Sequence, residues 1–128
     1  GARAALDWAI DYARLTGSPM ELVFGVDIAV AASSPFGTGM VFEQLEEAGA
    51  AVLREGLAIA KAAGVKATSH LDMTSPAQVI IKASEHASVT VVGNRGHGGF
   101  AGLLMGSVST AVVHHAKSPV VVVPQPVH

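Results

Sequence analysis

Apolar residues recur along the chain at two spacings, and the two spacings alternate from one end to the other. A recurrence every three to four residues predicts a helix, because such residues share one helical face. Short runs of consecutive apolar residues predict strands that are buried on both faces of a sheet. The predicted helices cover Ala2–Thr16, residues 41–63, residues 76–87 and residues 107–116. The predicted strands cover residues 20–28, 65–73, 89–92 and 119–124.

Glycine, proline and serine mark the ends of these elements. Gly17-Ser18-Pro19 stops the first helix, and Gly64 is placed to end the second. Ser75 precedes Pro76, which predicts a helix with Ser75 as its N-cap and proline at its first position. Residues 31–39 are small and turn-forming, so we predict a loop between the first strand and the second helix.

The order of the elements predicts the fold class. Strands that alternate with helices pair in parallel through right-handed crossovers. Of the 128 residues, 50% are hydrophobic and 14% are charged, which is enough apolar material for one core. We therefore predict a single α/β domain over residues 1–128, a doubly wound, mostly parallel sheet with helices on both faces. The first helix has no strand before it, which predicts that a leading strand is missing from this chain; a four-stranded sheet with a leading helix is the alternative.

Charge and composition argue against several classes of protein. The net charge is −2 and no basic run is present, which argues against a nucleic-acid partner. The absence of cysteine excludes disulfides, thiolate metal sites and a cysteine nucleophile. No apolar run approaches the ~20 residues of a membrane span, and the histidines lack the spacing of a metal site. We expect a cytoplasmic protein with no resident metal site and no nucleic-acid or membrane partner.

A glycine-rich segment, residues 93–109, runs from the end of a predicted strand into a predicted helix. Ligands of open α/β sheets bind beyond the carboxyl ends of the strands, and the free N–H groups of a helix N-terminus attract anions. Glycine lets the backbone approach a phosphate, and the hydroxyls of Ser107 and Ser109 can donate to phosphate oxygens. Neither a P-loop nor a G-x-G-x-x-G fingerprint is present. The segment predicts phosphate binding, with a purely structural turn as the alternative for Gly98-Gly99.

The same segment resembles the signature of the universal stress protein family. Gly93-x2-Gly96-x9-Gly106-Ser107 has the G-2x-G-9x-G-(S/T) spacing of that family. Residues 4–9, 22–27, 75–77 and 118–124 look like its first helix, second strand, third helix start and last strand. In ATP-binding members the signature surrounds the ribose and the triphosphate.

The resemblance implies an ATP site, with or without Mg²⁺. The implied contacts of the ribose and phosphates are Gly93, Arg95, Gly96, Gly106, Ser107, Val108 and Ser109. Val26 would pack on adenine with Val92 nearby, and a solvated loop arginine is the alternative for Arg95. Asp27 and Asp72 end strands on the same side of the sheet, where we expect turn or capping roles, with Mg²⁺ binding through water as the alternative. Family members open with a strand whose terminal aspartate hydrogen-bonds the nucleotide, and neither is part of the sequence given.

We expect a nucleotide-binding regulator of a stress response, acting as a sensor or switch. No nucleophile–base pair is identifiable, so any ATP cleavage should be slow. Two alternatives belong to other classes: a dimeric interaction module that has lost ATP binding, and an enzyme of the adenine-nucleotide α-hydrolase type. The resemblance also implies a homodimer through the last strand, Val120–Val123, whose free edge can pair with a second copy.

Overall fold

Helices and strands alternate along the described chain in the predicted order. The computed structural model describes residues 2–27, 38–94 and 105–125, without the side chains of residues 38–41. Its helices are α1 (Ala2–Thr16), α2 (Thr38–Ala62), α3 (Pro76–Ser84) and α4 (Ser107–His115). Its strands are β1 (Met20–Gly25), β2 (Ala67–Asp72), β3 (Thr90–Gly93) and β4 (Val120–Val123). The α/β class is therefore confirmed.

Two helix boundaries differ from the prediction. Helix α2 begins at Thr38, inside the predicted loop over residues 31–39, and residues 31–37 lie outside the described part of the chain. Helix α3 ends at Ser84 rather than at residue 87. The N–H groups of residues 85–87 donate to carbonyls three residues earlier, at 3.2–3.4 Å. Such bonds belong to the tighter 3₁₀ turn, so the regular helix stops before them.

The four strands form two parallel pairs. Strand β1 pairs with β2 in a register that sets Met20 beside Ala67, and β3 pairs with β4 with Thr90 beside Val120. Within the described residues the two pairs are separate two-stranded sheets. The parallel direction is as predicted, whereas the alternative of one continuous four-stranded sheet does not hold for this part of the chain. Helix α1 contacts β1, β3 and β4, so it lies across both pairs.

Glycines end the first two helices in the left-handed conformation. Gly17 has φ +70° and Gly64 has φ +79°, a region that is strained for residues with a Cβ. Beyond each glycine, an N–H group donates to a carbonyl five residues back: Ser18 to Ala13 at 3.1 Å, and Val65 to Ala60 at 3.0 Å. Both helices thus end in a Schellman-type turn, and the predicted stop at Gly64 is confirmed.

The helices cover the strands in two sets. Ile10 and Ala13 of α1 form a buried cluster with Ala60 and Val65 at the end of α2, so these two helices pack together. Helix α2 contacts β1 and β2, whereas α3 contacts β1 and α4, and α4 contacts β4. Gly49 brings α2 close to β1, because a Cβ there would lie 2.8 Å from the Phe24 ring. The arrangement is the predicted doubly wound one.

Candidate functional site

Hydrogen bonds connect the end of β3 to the start of α4. The ladder between β3 and β4 continues one residue past the strand, where the Asn94 N–H donates to the Val123 carbonyl at 2.9 Å. The Asn94 carbonyl then accepts a hydrogen bond from the Gly106 N–H at 2.6 Å. Gly106 is the N-cap of α4. Residues far apart in the sequence therefore meet where the carboxyl end of a strand faces the N-terminus of a helix.

Ser109 strengthens this junction from inside. The residue is only 2% exposed, and its hydroxyl donates to the Asn94 carbonyl at 2.7 Å. The same oxygen accepts from the Gly106 N–H at 3.1 Å. The sequence predicts that the Ser109 hydroxyl donates to phosphate, whereas in the structure it donates to the Asn94 carbonyl. In this arrangement Ser109 positions the junction, and its neighbour Ser107 is exposed.

The first turn of α4 carries no side-chain cap. Gly106 has φ −84° and ψ 180°, an extended conformation, and as glycine it has no oxygen to accept from the following N–H groups. The turn contains no acidic residue. The first N–H groups of a helix need an outside partner, and the positive end of the helix dipole favours an anion. The start of α4, Ser107 to Ser109, can therefore receive a negatively charged group.

Asn94 is a member of this site that the sequence analysis does not identify. Its side-chain Oδ1 is buried and has no hydrogen-bond partner in the part of the chain that the structure describes. Buried polar atoms almost always have a partner, so an unpaired acceptor beside the helix start calls for an explanation. The signal in the sequence is its position, directly after the first glycine of the signature.

Two of the predicted valines lie at the carboxyl ends of strands and are buried. Val26, just past β1, is 2% exposed, and Val92 in β3 is 7% exposed. The Val26 N–H donates to the Asp72 carbonyl at 2.9 Å, which extends the pairing of β1 with β2. Val26 and Val92 thus belong to different strand pairs, each near the carboxyl end of its strand.

The end of β1 also touches the start of α3 closely. A Cβ on Gly25 would lie 2.6 Å from the Thr74 carbonyl oxygen and 2.8 Å from the Pro76 nitrogen. Ser75 caps α3 as predicted, since its hydroxyl accepts from the Gln78 N–H at 3.3 Å. Gly25 is thus required for close approach, which the resemblance does not indicate.

Some of the remaining predicted site residues lie in the part of the chain that the structure describes, and others do not. Arg95 and Gly96 lie outside the described residues, as does His97. Asp72 has the expected turn role, because its Oδ1 accepts from the Met73 N–H at 2.8 Å. Among the residues described, no group of three or more histidines and carboxylates could hold a metal ion. Nor does this part of the chain contain a helix with the length and apolar character that crossing a membrane requires.

The sequence model of the universal stress protein family matches residues 1–124 of this chain. A universal stress protein of Mycolicibacterium smegmatis is 39% identical over an alignment of 87 positions, and the match covers 66% of this chain and 30% of that one. The chain therefore spans less than half the length of this curated relative.

Solved structures share the fold over nearly the whole chain. The hypothetical protein MJ0577 has a TM-score of 0.85 at 20% identity, covering 99% of this chain and 90% of that one. A universal stress protein from Archaeoglobus fulgidus in complex with dAMP has a TM-score of 0.67 at 22% identity. Another universal stress protein, in complex with cAMP, has the same TM-score of 0.67 at 25% identity. Each of these two comparisons covers 95% of this chain and 86% of the other.

Proposed function

Because the chain belongs to the universal stress protein family, we propose that it binds adenine nucleotides, ATP foremost, and acts as a sensor or switch in a stress response. The observation that carries the proposal is the uncapped start of α4, held against the end of β3 by the Asn94 carbonyl. This arrangement offers backbone N–H groups and a positive dipole to phosphate oxygens. The relatives solved with dAMP and cAMP support the adenine nucleotide class.

The described residues fit such a ligand in two ways. Gly106 has no side chain that could cap the first N–H groups of α4, which a phosphate would use, and the unpaired Oδ1 of Asn94 supplies an acceptor for a ligand donor. We assign the phosphates and ribose to Gly93, to Gly106 and to the backbone N–H groups of Ser107, Val108 and Ser109, because the Ser109 hydroxyl is used within the protein. Contacts of Arg95 and Gly96 with the phosphates are proposed from the family signature alone.

The apolar part of the proposed site is formed by Val26 and Val92. Both side chains are covered in the protein, so an adenine ring would pack along their edge. We propose that Mg²⁺, where present, enters with the triphosphate. The proposed location is the cytoplasm, where ATP is available to such a sensor.

Mass spectrometry and calorimetry test the proposal together. The protein is purified, denatured and searched for co-purified nucleotide, and the refolded or nucleotide-free protein is titrated with ATP, dAMP and cAMP, with GTP as the control. We expect ATP to bind and GTP to bind at least tenfold more weakly. Absence of heat with every adenine nucleotide, in a protein that is folded by circular dichroism, would contradict the proposal.

A second function is supported by the internal use of the Ser109 hydroxyl. The hydroxyl is hydrogen-bonded within the protein, to the Asn94 carbonyl and the Gly106 N–H, as a family member that binds no nucleotide would need. In that case the protein is a homodimeric interaction module that pairs through β4. The calorimetric titration separates this function from the first, because the module would dimerise and give no nucleotide heat.

A further inference from the structure

Ser84 is a buried serine that lies outside the family signature and outside the proposed ligand contacts. It is the last residue of α3 and is 1% exposed. Its hydroxyl donates to the Ile81 carbonyl of the same helix at 2.5 Å. The same oxygen accepts from the N–H group of Lys117 at 2.9 Å. A buried hydroxyl that is satisfied in this way holds the two segments that it joins in a fixed arrangement.

The partner of Ser84 belongs to the short connection between α4 and β4. The two residues that follow Lys117 bind the start of β3. The hydroxyl oxygens of Ser118 and Thr90 lie 2.8 Å apart, and the Pro119 carbonyl accepts from the Thr90 N–H at 2.8 Å. Ser84 therefore holds the end of α3 at the point where α4 is joined to the pair β3–β4.

The opposite end of α3 lies against the carboxyl end of the other strand pair. A Cβ on Gly25 would lie 2.6 Å from the Thr74 carbonyl oxygen, so the end of β1 and the residues before α3 are in close contact. The nine residues of α3 extend about 13.5 Å at 1.5 Å per residue. Because a helix of this length behaves as a rigid element, its two ends shift together. Helix α3 thus connects the end of β1 to α4 through Ser84.

We propose that Ser84 is a positioning residue of the nucleotide site, because it sets the separation between the two halves of that site. The inference rests on the proposed function, in which adenine packs along Val26 after β1 and the phosphates bind at the start of α4. A ligand that spans both halves binds best when their separation matches its length, whereas a ligand of one half is insensitive to it. Helix α1 also contacts both strand pairs, so loss of the Ser84 hydroxyl should loosen this arrangement without abolishing it.

The experiment compares one ligand that spans both halves with two ligands that each fill one half. ATP, adenine and inorganic tripolyphosphate are titrated by NMR, which measures weak as well as tight binding and reports on the fold. Ser84→Ala removes the acceptor of the Lys117 N–H. Ser118→Ala is the matched control, because its hydroxyl bonds to Thr90 within one strand pair. Ser84→Cys keeps the size of the side chain with a weaker acceptor, and it takes the place of Ser84→Ala if that protein does not fold.

We expect Ser84→Ala to weaken ATP binding at least about fivefold and to change the affinities for adenine and tripolyphosphate less than about twofold. Ser84→Cys should have an intermediate ATP affinity, and Ser118→Ala should bind all three ligands nearly as the wild type does. An equal loss for the three ligands would show that Ser84 supports stability alone and would overturn the inference. An ATP affinity of Ser84→Ala equal to that of Ser118→Ala would also overturn it. A wild type that binds none of the three ligands would contradict the proposed function itself, and the inference with it.

Discussion

Ser109 occupies the junction that decides how β3 and α4 face each other. Its buried hydroxyl donates to Asn94 and accepts from Gly106, and both of these groups are backbone. The side chain therefore fixes the distance between a strand end and a helix start. A nearby serine without these contacts, Ser107, is exposed. The two serines of the glycine-rich segment have different roles although the sequence presents them alike.

We expect Ser109→Ala to lower the free energy of unfolding, because the Ser109 hydroxyl holds the junction between β3 and α4. The variant loses two hydrogen bonds at a buried position, which corresponds to about 1–2 kcal/mol of unfolding free energy. Urea unfolding followed by circular dichroism measures this loss. Ser107→Ala is the control, and we expect a change within about 0.5 kcal/mol because it is exposed. Equal losses for the two variants would refute the positioning role of Ser109.

Gly106→Val tests the proposed phosphate site. The backbone of Gly106 has φ −84° and ψ 180°, which valine can adopt, so the fold should largely survive. The branched side chain would occupy the space before the first N–H groups of α4, and we expect ATP binding to be lost. Calorimetry measures binding and thermal melting measures the fold, with Gly106→Ala as a graded variant of intermediate affinity. Unchanged ATP affinity in Gly106→Val would show that the site lies elsewhere.

The physical reason why glycine is required differs from one position to another, and these reasons could be predicted from the sequence only in part. Left-handed φ is found among the described residues at Gly17 and Gly64, which end helices. Gly106 of the signature has an ordinary φ, so its value lies in the absent side chain. The absence of a side chain at Gly106 was therefore the reason that the sequence predicts, close approach of the backbone to a ligand, whereas the extended backbone at this position was not predicted. The close approach at Gly25 arises between segments about fifty residues apart and has no local pattern.

At the scale of elements, most of the fold could be predicted because local signals agree. The helix breakers after Ala2–Thr16 and the Ser75-Pro76 start give boundaries that match the structure. The end of α3 was missed because residues 85–87 continue in a 3₁₀ turn that their composition does not distinguish. The division of the strands into two pairs depends on long-range packing. For the same reason Asn94, whose partners are twelve, fifteen and twenty-nine residues away, was not predicted.

Gly25→Ala tests how rigidly β1 is placed against the start of α3. The new Cβ would meet backbone atoms of residues 74–76 at 2.6–2.8 Å, so the turn before α3 must move. We expect a loss of about 1–3 kcal/mol in unfolding free energy, measured by urea titration. Gly56→Ala is the matched control, because its Cβ would meet the flexible Leu22 side chain at 2.9 Å and alanine favours the helix. A Gly25→Ala protein as stable as Gly56→Ala would contradict this account of the contact.

At the scale of the whole molecule, β4 is the expected place of self-association. All four of its valines are half-buried, and the flanking Pro119 and Pro124 limit how far a ladder can extend. We expect a homodimer that is weakened by Val121→Lys or Val122→Lys. Successive residues of a strand point to opposite faces, so one of the two should have the larger effect.

Light scattering at micromolar concentration measures this assembly. The proteins are compared at equal concentration, and the variants should show a lower average mass than the wild type. Circular dichroism controls for loss of fold. A monomeric wild type would contradict the prediction, as would two variants that dimerise as well as the wild type does.

Among the described residues the two strand pairs are joined by packed helices and not by a shared ladder, so we expect them to open to solvent as two cooperative units. The pair β1–β2 has six-residue strands and the pair β3–β4 has four-residue strands. Native-state hydrogen exchange should therefore give a lower opening free energy for amides of β3 and β4 than for those of β1 and β2. One common opening free energy for both pairs would contradict this. A nucleotide that touches Val26 on one pair and Gly93 on the other would bind only when both units are closed, so it should slow exchange in both together.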